Sequence, residues 1–510
     1  ALAHPLLTPF SAHRGAGVMS KEEEEEAAGS TGSSSSPTES DTSTSGEIGV
    51  AAKKSYHGKN DAWLTAGIIV ADVVGAGILS MPRAIAQFGW ALGGVVMALL
   101  LVANVHVSIL MWKVRVGCKE CSATHTYVGL VRGVFATAPE WQRRAAMVVT
   151  GFSQYMFIFG QLCVFLLSAG KGLGMLFHEY HICTPTWSLI AGGLLWPFAA
   201  TARELGTYQS LVWANIITLC GTVLIPLSYY VFAGSDELST SGSQWYALSP
   251  AINVAGVLSG LSAFTFGLTS QFMVAEIIAE MKDPMEFPKA YAKVSAPFQM
   301  IAFSAAGLGG YYWLGDKSAG MINENLPFNR SFQAAAVCLV VHMLITYIIK
   351  NVIFSKAVLR NTAPEYAHPH DTRARSWLAH NAVVLGVLAC AWLIANVVPF
   401  FSDAVDLLGA SFTPLSCWVI PIFVFIRWHI NCGEHRTKVS AFEWGCIALE
   451  LQLALVLMVL GTYSSLINIR EHWRTYGPPF GCHCEGIWST CQCSAGHVGM
   501  GMCPLTPGEL

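Results

Sequence analysis

Long apolar stretches alternate with short charged connections along most of the chain. Three of these stretches, at 145–170, 205–235 and 376–402, contain no Asp, Glu, Lys or Arg and exceed the ~20 residues that cross a hydrocarbon core as a helix. The pattern predicts eleven membrane-spanning helices, which we call spans 1 to 11. They are expected at 62–83, 91–112, 147–169, 187–202, 210–232, 251–278, 295–314, 332–354, 382–401, 405–426 and 447–469.

Span 4 is weaker than the others because it is short and contains Pro197. Its sequence leaves open whether it is tilted, bent or only partly inserted.

The composition agrees with a membrane protein. Hydrophobic residues make up 53% of the 510 residues, charged residues make up only 12%, and the mean hydropathy is +0.48. Soluble chains of this length rarely reach such values. The charges are also clustered, whereas soluble amphipathic helices carry them along one face. We therefore predict an all-α, polytopic membrane fold.

The distribution of Lys and Arg predicts the orientation in the membrane. With eleven spans, all but six of the 29 basic residues lie on the side of the N-terminus, and cytoplasmic loops are the ones enriched in Lys and Arg. We therefore expect a cytoplasmic N-terminus and a C-terminus on the opposite side. The six exceptions are Arg83, Lys171, Lys317, Arg330, Arg470 and Arg474.

One sequon fits this orientation. Asn329-Arg330-Ser331 lies between spans 7 and 8, in a connection predicted to face outward, so Asn329 is a candidate glycosylation site.

Two polar tails flank the membrane domain. Residues 1–60 contain an acidic run at 22–26 and a segment rich in Ser, Thr and Gly at 30–45, so we predict a disordered cytoplasmic tail. The chain does not begin with Met, and Met19 is a candidate start. The transmembrane domain is expected at 61–470, and 471–510 form a Cys-rich extracytoplasmic tail.

Cysteines are concentrated in the C-terminal tail. Five of them, together with Cys183, make six, a number compatible with three disulfides in an oxidising compartment. The alternative is a soft metal held with His483 and His497. We favour the disulfides and predict neither a metal site nor a cofactor. The five tail residues are Cys482, Cys484, Cys491, Cys493 and Cys503.

The middle of span 1 has the composition of a broken helix. Gly75 and Gly77 closely follow Asp72, and Pro82 comes five residues later. Glycine weakens a helix interior, and non-helical backbone at membrane depth is tolerated where it lines a cavity or is buried in protein. The freed backbone groups could hold a zwitterion. The alternative is that the two glycines only allow close helix packing.

Span 6 repeats this composition in the corresponding position. Gly267 lies there between the hydroxyl residues Thr265 and Thr269. Spans 1–5 and 6–10 would then form two halves of five helices, each of which opens with an interrupted helix. Because five is odd, the second half inserts inverted. The sequence thus predicts a 5+5 inverted repeat with broken helices 1 and 6, as in transporters that bind substrate between broken helices.

Three groups of motifs resemble the amino acid/auxin permease family, whose architecture is similar to the leucine-transporter-like fold. They cover about 60–470 and occur in the order found in the family. The first is Gly75-Ala76-Gly77-Ile78-Leu79-Ser80-Met81-Pro82 with Ala86-Gln87-Phe88-Gly89-Trp90; the second is Phe264-Thr265-Phe266-Gly267 with Glu276-Ile277-Ile278, Met281-Lys282-Asp283-Pro284 and Phe287-Pro288-Lys289-Ala290; the third is Pro399-Phe400-Phe401 with Leu408-Gly409-Ala410 and Pro421.

The resemblance implies an amino-acid substrate, eleven helices and coupling to a cation gradient. It also implies which residues contact the substrate, although packing between helices is the alternative role. Family members that use sodium often carry Asn where this chain has Ala71, which favours a proton. The backbone at Gly75, Ala76, Gly77 and Ile78 would take the carboxylate, and Phe264, Thr265, Phe266 and Gly267 would contact the amine and side chain.

Three carboxylates are candidates for coupling and gating. Asp72 lies within span 1, where an ionisable group is costly and usually functional, so we predict that it carries the coupling proton. A structural ion pair or hydrogen bond is the alternative. Glu276 and Glu280 are four residues apart on one helical face and could gate through inner-loop lysines, or form structural pairs.

The predicted function is secondary active transport of amino acids by alternating access, with proton symport or antiport. The chain contains neither a P-loop nor a G-x-S-x-G motif, so it is not expected to be an enzyme, and its net charge of −3 argues against nucleic-acid partners. Expected partners are an amino acid, a proton (sodium is second choice) and the lipid bilayer of the plasma membrane or of a vacuolar or endolysosomal membrane. The rival hypothesis is a nutrient sensor that signals through the N-terminal tail.

Overall fold

The described part of the chain is almost entirely helical. The computed structural model describes 60–481 with gaps at 122–123, 178–179, 181, 204–208, 234–242, 251, 319, 328, 368–372, 432–438 and 477. Within these residues, the only β pairing is an isolated bridge between Asn60 and Met281. The all-α prediction is confirmed.

Each predicted span coincides with one or more helices. In chain order the helices are Ala62–Val73 and Ala76–Phe88 (span 1), Trp90–Gly117 (2), Glu140–Leu176 (3), Thr184–Thr201 (4), Gln209–Ala233 (5), Val254–Leu268 and Val274–Ala279 (6), Lys289–Ser295, Ala296–Ser304, Ala305–Gly309 and Gly310–Leu314 (7), Arg330–Thr362 (8), Ala374–Val397 (9), Phe401–Asn431 (10), and Ala441–Val456, Leu457–Gly461 and Thr462–Tyr476 (11). A short helix, Tyr127–Val134, lies between spans 2 and 3.

Eight of the described helices are long and apolar enough to cross a membrane, and the bent pair of span 1 makes a ninth. Spans 4 and 7 are helical but do not belong to this group. Span 4 contains Pro197 inside its helix, and span 7 includes two π-helical segments. The chain is a multi-pass membrane protein, while the count of eleven crossings stays a prediction.

Side-chain caps explain where several spans begin. Asp61, Asn253, Asn329 and Ser440 each precede a span and accept a hydrogen bond from a backbone N–H in its first turn, at 2.7–3.1 Å. Such caps satisfy donors that a helix leaves unpaired at its start. Asn329, the predicted glycosylation site, thus has a structural role as well.

The spans separate into a buried centre and a lipid-facing shell. The apolar windows of spans 3 and 6 are each 89% buried inside the protein, against 28% for span 11 and 39% for span 9. Span 8 packs against spans 3 and 5, while span 6 packs against span 10 and the second half of span 1. The broken helices therefore lie in the protein-lined centre.

Contacts between connections group them on two faces, as the alternation of spans requires. On the predicted outer face, Trp90 N donates to Tyr246 O at 2.9 Å and Asp316 N donates to Gln244 O at 2.9 Å, which joins the connections after spans 1, 5 and 7. On the predicted inner face, Lys282 N donates to Asn60 O at 2.8 Å. Which face is cytoplasmic stays a prediction.

Two glycines shape the predicted outer face. Gly89 has φ +85° and Gly315 has φ +63°, values that side chains other than glycine rarely adopt. A Cβ atom at either position would also come within 2.7 Å of a backbone oxygen in the connection between spans 5 and 6.

Residues 1–59 and 482–510 lie outside the described residues, so the predictions for the N-terminal tail and for the five tail cysteines remain predictions. The last described helix continues to Tyr476, six residues into the predicted C-terminal tail. Cys183 is disulfide-bonded, in agreement with its expected role, but the predicted set of three bonds is not established. Cys118 and Cys121 form a further disulfide on the predicted inner face, where a reducing cytosol would open it.

Candidate functional site

Span 1 is broken in the predicted region. Its first half ends at Val73, Val74 closes the helix by donating to Val70 O at 2.8 Å, and Gly75 is non-helical. A 3₁₀ helix, Ala76–Ser80, then leads into the second half, and the two halves are bent by 51°. The first N–H groups of this second helix have no acceptor within it.

The two glycines at the break have different surroundings. A Cβ atom on Gly77 would lie 2.3 Å from Gly267 Cα, which is too close for any side chain, whereas the nearest atom to a Cβ on Gly75 would be Asp72 O at 3.8 Å. Close packing therefore explains why position 77 is glycine, but it does not explain the glycine at position 75, Gly75. Gly75 has room for one further carbon atom, whereas Gly77 has none.

Span 6 is also broken, but beyond the residues singled out in its sequence. The first half continues through Phe264–Gly267 to Leu268, and after Thr269 and Ser270 a 3₁₀ turn leads into Val274–Ala279. The hydroxyl of Thr265 donates to Leu261 O at 2.8 Å. This hydrogen bond lies within the helix, which ends only at Leu268.

The predicted substrate residues of span 6 pack against spans 1 and 3. The ring of Phe264 stacks on Phe88 with centroids 5.9 Å apart, and Phe266 meets Phe157 edge-on at 6.3 Å. The close approach of Gly77 to Gly267 brings the two predicted groups together. All eight residues, 75–78 and 264–267, are buried.

Asp72 forms an ion pair with Lys350 of span 8. The side chains are 7% and 1% exposed. The Lys350 ammonium also lies 3.2 Å from Met273 Sδ and 4.6 Å from the centre of the Phe272 ring. One cation therefore contacts residues beside both breaks, and the ion-pair role that the sequence left open for Asp72 is the one observed.

Neighbouring spans hold the polar groups of the span 6 break. Gln271 Nε2 donates to Asn104 O of span 2 at 2.8 Å, and Gln154 Nε2 of span 3 donates to Phe272 O at 2.8 Å. These bonds satisfy groups that the interrupted helix leaves without internal partners. Spans 2 and 3 therefore stabilise the break of span 6.

Glu276 and Glu280 fasten the predicted inner ends of the helices, and their partners among the described residues are not lysines. Glu276 accepts hydrogen bonds from Tyr127 N at 2.9 Å and Gln154 Nε2 at 3.1 Å, and Glu280 accepts one from Asn60 Nδ2 at 3.4 Å. The physical reason is that lysine ammonium groups favour hydrated positions at the surface, whereas Glu276 faces the bundle. Nothing in this arrangement establishes gating.

An ion pair joins spans 1 and 10 on the opposite side of the breaks. Arg83 lies 3.2 Å from Asp406, whose carboxylate also accepts a hydrogen bond from Ser259 Oγ of span 6 at 2.5 Å. The Asp406 side chain is 1% exposed. The second half of span 1 and the first half of span 6 are therefore both tied to span 10 through the buried carboxylate of Asp406.

Sequence reasoning missed Lys350, Arg83 and Asp406 as site residues. All three could have been recognised as charged side chains within or beside apolar spans. Only Asp72 was interpreted in this way. Their partners could not be recognised because each pair is separated by 278 or 323 residues. Among the described residues, no group of three His, Cys, Asp or Glu side chains could hold a metal.

Comparisons with known proteins agree with this geometry. A family profile described as "Transmembrane amino acid transporter protein" matches residues 58–467. The Arabidopsis thaliana protein named amino acid transporter ANT1 is 23% identical over 434 residues, which cover 81% of this chain and 93% of that protein. Amino acid permease 2 from the same plant is 20% identical over 466 residues, with 82% and 89% coverage.

The fold is also found among solved structures. The crystal structure of MhsT in complex with L-phenylalanine superposes with a TM-score of 0.52 at 13% sequence identity. The match covers 80% of this chain and all of that one. The fold class predicted from the sequence is confirmed, although the helix count and the repeat symmetry are not.

Proposed function

The chain belongs to the transmembrane amino acid transporter family, and from that premise we propose that it carries amino acids by alternating access, coupled to a proton. The observation that carries the proposal is the buried pair of Asp72 and Lys350, because Lys350 also contacts Met273 at the second break. A titratable group is thereby joined to both interrupted helices. Such helices form the substrate site in transporters of this architecture.

The substrate carboxylate would bind at the break of span 1. Ala76 and Gly77 begin the second helix, so their N–H groups and the positive end of the helix dipole favour an anion. The first helix ends at Val73, and its free carbonyl groups favour the substrate ammonium. A Cβ atom on Gly75 would meet only Asp72 O, at 3.8 Å, so the backbone at the break is less crowded at Gly75 than at Gly77.

Charge balance would couple the proton to the substrate. The pair of Asp72 and Lys350 is neutral as a whole, so protonation of Asp72 leaves the Lys350 charge uncompensated in a medium of low dielectric constant. A substrate carboxylate nearby compensates that charge. Proton and amino acid therefore favour each other's binding, as symport requires.

The same cation argues against sodium at this position. Lys350 already pairs with Asp72, and a sodium ion there would be repelled by the ammonium group. In addition, the chain has Ala71 at the position where family members that use sodium often carry Asn. Both observations favour a proton as the coupling ion.

Two sets of contacts would alternate during transport. Arg83 and Asp406 close the predicted outer side, while the bonds of Glu276 to Tyr127 and Gln154 close the predicted inner side. In this structure both sets are formed, and the residues between them are buried. We assign the conformation to an occluded state from which either side can open.

Reconstitution in liposomes tests the proposal. Uptake of each of the twenty amino acids is measured under an imposed pH gradient, an imposed sodium gradient and neither. We expect uptake driven by pH, and Asp72→Asn should abolish it while leaving some exchange. Asp61→Asn is the matched control, because it removes a carboxylate from the same helix but retains the capping acceptor.

The possible failures are separable. Absence of uptake for every amino acid under every gradient contradicts transport. Uptake that follows sodium and ignores pH contradicts only the coupling, and an unchanged pH dependence in Asp72→Asn removes Asp72 from it.

A further inference from the structure

The connection between spans 7 and 8 folds back into the bundle. Its 3₁₀ helix, Ile322–Asn325, is buried at every residue and lies against three elements: Ala76–Ser80 of span 1, span 5 and span 8. The connection thus covers the same segment that we assign to the substrate carboxylate.

Specific bonds hold this helix in place. Tyr230 OH of span 5 donates to Ile322 O at 2.5 Å. Lys171 of span 3 lies 3.6 Å from Glu324, and both side chains are only 4% exposed. Asn325 Nδ2 lies 3.3 Å from Met321 O. These anchors position the helix without using Asn323.

Asn323 differs from the other residues of this 3₁₀ helix because both polar atoms of its side chain lack a partner among the described residues. It is fully buried, yet neither its Oδ1 nor its Nδ2 has a hydrogen-bond partner among the described residues. Buried polar side chains in folded proteins nearly always have partners, so an unsatisfied one needs an explanation such as a bound molecule. The neighbouring Asn325 is satisfied within the connection, which shows that the local backbone does not prevent such bonding.

We propose that Asn323 is a substrate-binding residue, and that the connection between spans 7 and 8 completes the amino acid site from the predicted outer side. The inference rests on the proposed function. A carboxamide offers both N–H donors and a carbonyl acceptor, and a zwitterionic amino acid offers a carboxylate acceptor and an ammonium donor. The two groups are complementary, so one bound substrate satisfies both polar atoms of Asn323.

The proposal predicts that stability and binding respond in opposite directions. Asn323→Leu replaces the carboxamide by an apolar group of similar size, which removes the unsatisfied atoms from the substrate-free protein. We expect an unchanged or higher melting temperature without substrate. The affinity for amino acid should fall about 10- to 100-fold, as loss of hydrogen bonds to charged groups does.

The matched control is Asn325→Leu, two residues away in the same helix. Because Asn325 bonds to Met321 O, its loss should lower the melting temperature without substrate but leave the affinity of the folded protein within about twofold. Melting of purified protein is followed with and without each amino acid at saturation, and KM is measured in liposomes. Asn323→Ser, which retains a hydroxyl, should give an intermediate affinity and serves if the leucine variant does not fold.

The outcomes are distinct. Wild-type affinity in Asn323→Leu or Asn323→Ser overturns the proposal, as does a loss of melting temperature without any change in KM. If the wild-type protein itself neither transports nor is stabilised by any amino acid, the proposed function fails and this inference fails with it. The inference is supported if the wild-type protein transports or is stabilised by an amino acid and only the Asn323 variants bind that amino acid more weakly.

Discussion

The carboxylate of Asp72 and the ammonium of Lys350 are 278 residues apart in the sequence and form one ion pair in the centre of the bundle. Asp72 lies one turn before the break of span 1, and Lys350 touches the break of span 6 through Met273 and Phe272. Movement of span 1 relative to span 8 must therefore stretch or break this pair, while movement of span 6 changes the contacts of Lys350 with Met273 and Phe272.

The ion pair predicts a specific pattern of stability. Asp72→Asn or Lys350→Gln alone should lower the free energy of unfolding by about 3–5 kcal/mol, because each leaves a buried charge without its partner. The double variant should recover most of that loss, since no charge remains, but should not recover pH-driven uptake. Thermal melting and liposome uptake of all three variants provide the test. Additive losses in the double variant would contradict a direct pair.

The two glycines of the span 1 break should behave differently. Gly77→Ala forces a Cβ into Gly267 Cα and should destabilise the protein by about 1–3 kcal/mol. Gly75→Ala meets no such contact, so it should fold normally but reduce substrate affinity about tenfold or more, which corresponds to ~1.4 kcal/mol. Melting temperature and KM are compared for both. Equal behaviour of the two variants would show that the space beside Gly75 has no role in binding.

The predicted outer side should open when its ion pair is lost. Asp406→Asn removes the charge that holds Arg83 but retains an acceptor for Ser259. We expect a cysteine introduced at Ser80, which is fully buried, to react several-fold faster with a membrane-impermeant thiol reagent in this variant. The parent without the new cysteine gives the background. An unchanged labelling rate would mean that the pair does not control access.

The two glutamates after span 6 should not be equivalent. Glu276→Ala leaves Tyr127 N and Gln154 without their acceptor and should cost about 1.5–3 kcal/mol. Glu280→Ala removes one long bond from an exposed side chain, so its melting temperature should stay close to that of the wild type. A larger loss in Glu280→Ala would reverse this assignment.

Glycosylation at Asn329 can be separated from its capping role. Ser331→Ala removes the sequon but keeps the Asn329 cap, whereas Asn329→Gln removes both. We expect both variants to lose a glycan-dependent mobility shift, and only Asn329→Gln to lose about 1 kcal/mol of stability. Identical mobility of the wild type and both variants on gels would rule out modification at this site.

The parts of the fold that depend on local sequence could be predicted. Uncharged stretches located the spans, and the glycines near Asp72 located the break of span 1. The second break was placed less well, because the hydroxyl of Thr265 bonds within its own helix and the chain leaves the helical path only after Leu268. Whether a hydroxyl bends or continues a helix depends on tertiary contacts that a single sequence does not contain.

The site itself depends on pairs that no local pattern shows. Lys350, Asp406 and Asn323 became candidates only when the structure revealed what surrounds each of them. A lysine at the end of an apolar run can snorkel to the surface or pair inside the bundle. Which of these two positions the lysine takes depends on the residues of the helix that faces it. The sequence does not identify that helix.

The contact of Gly77 with Gly267 has a mechanical consequence. Neither residue places a side chain between the two backbones, so spans 1 and 6 approach more closely here than larger residues would allow. Farther along, the rings of Phe88 and Phe264 stack across the same two spans. A change in the angle between the spans can therefore keep the backbone contact of the glycines, but it must separate or slide the two rings.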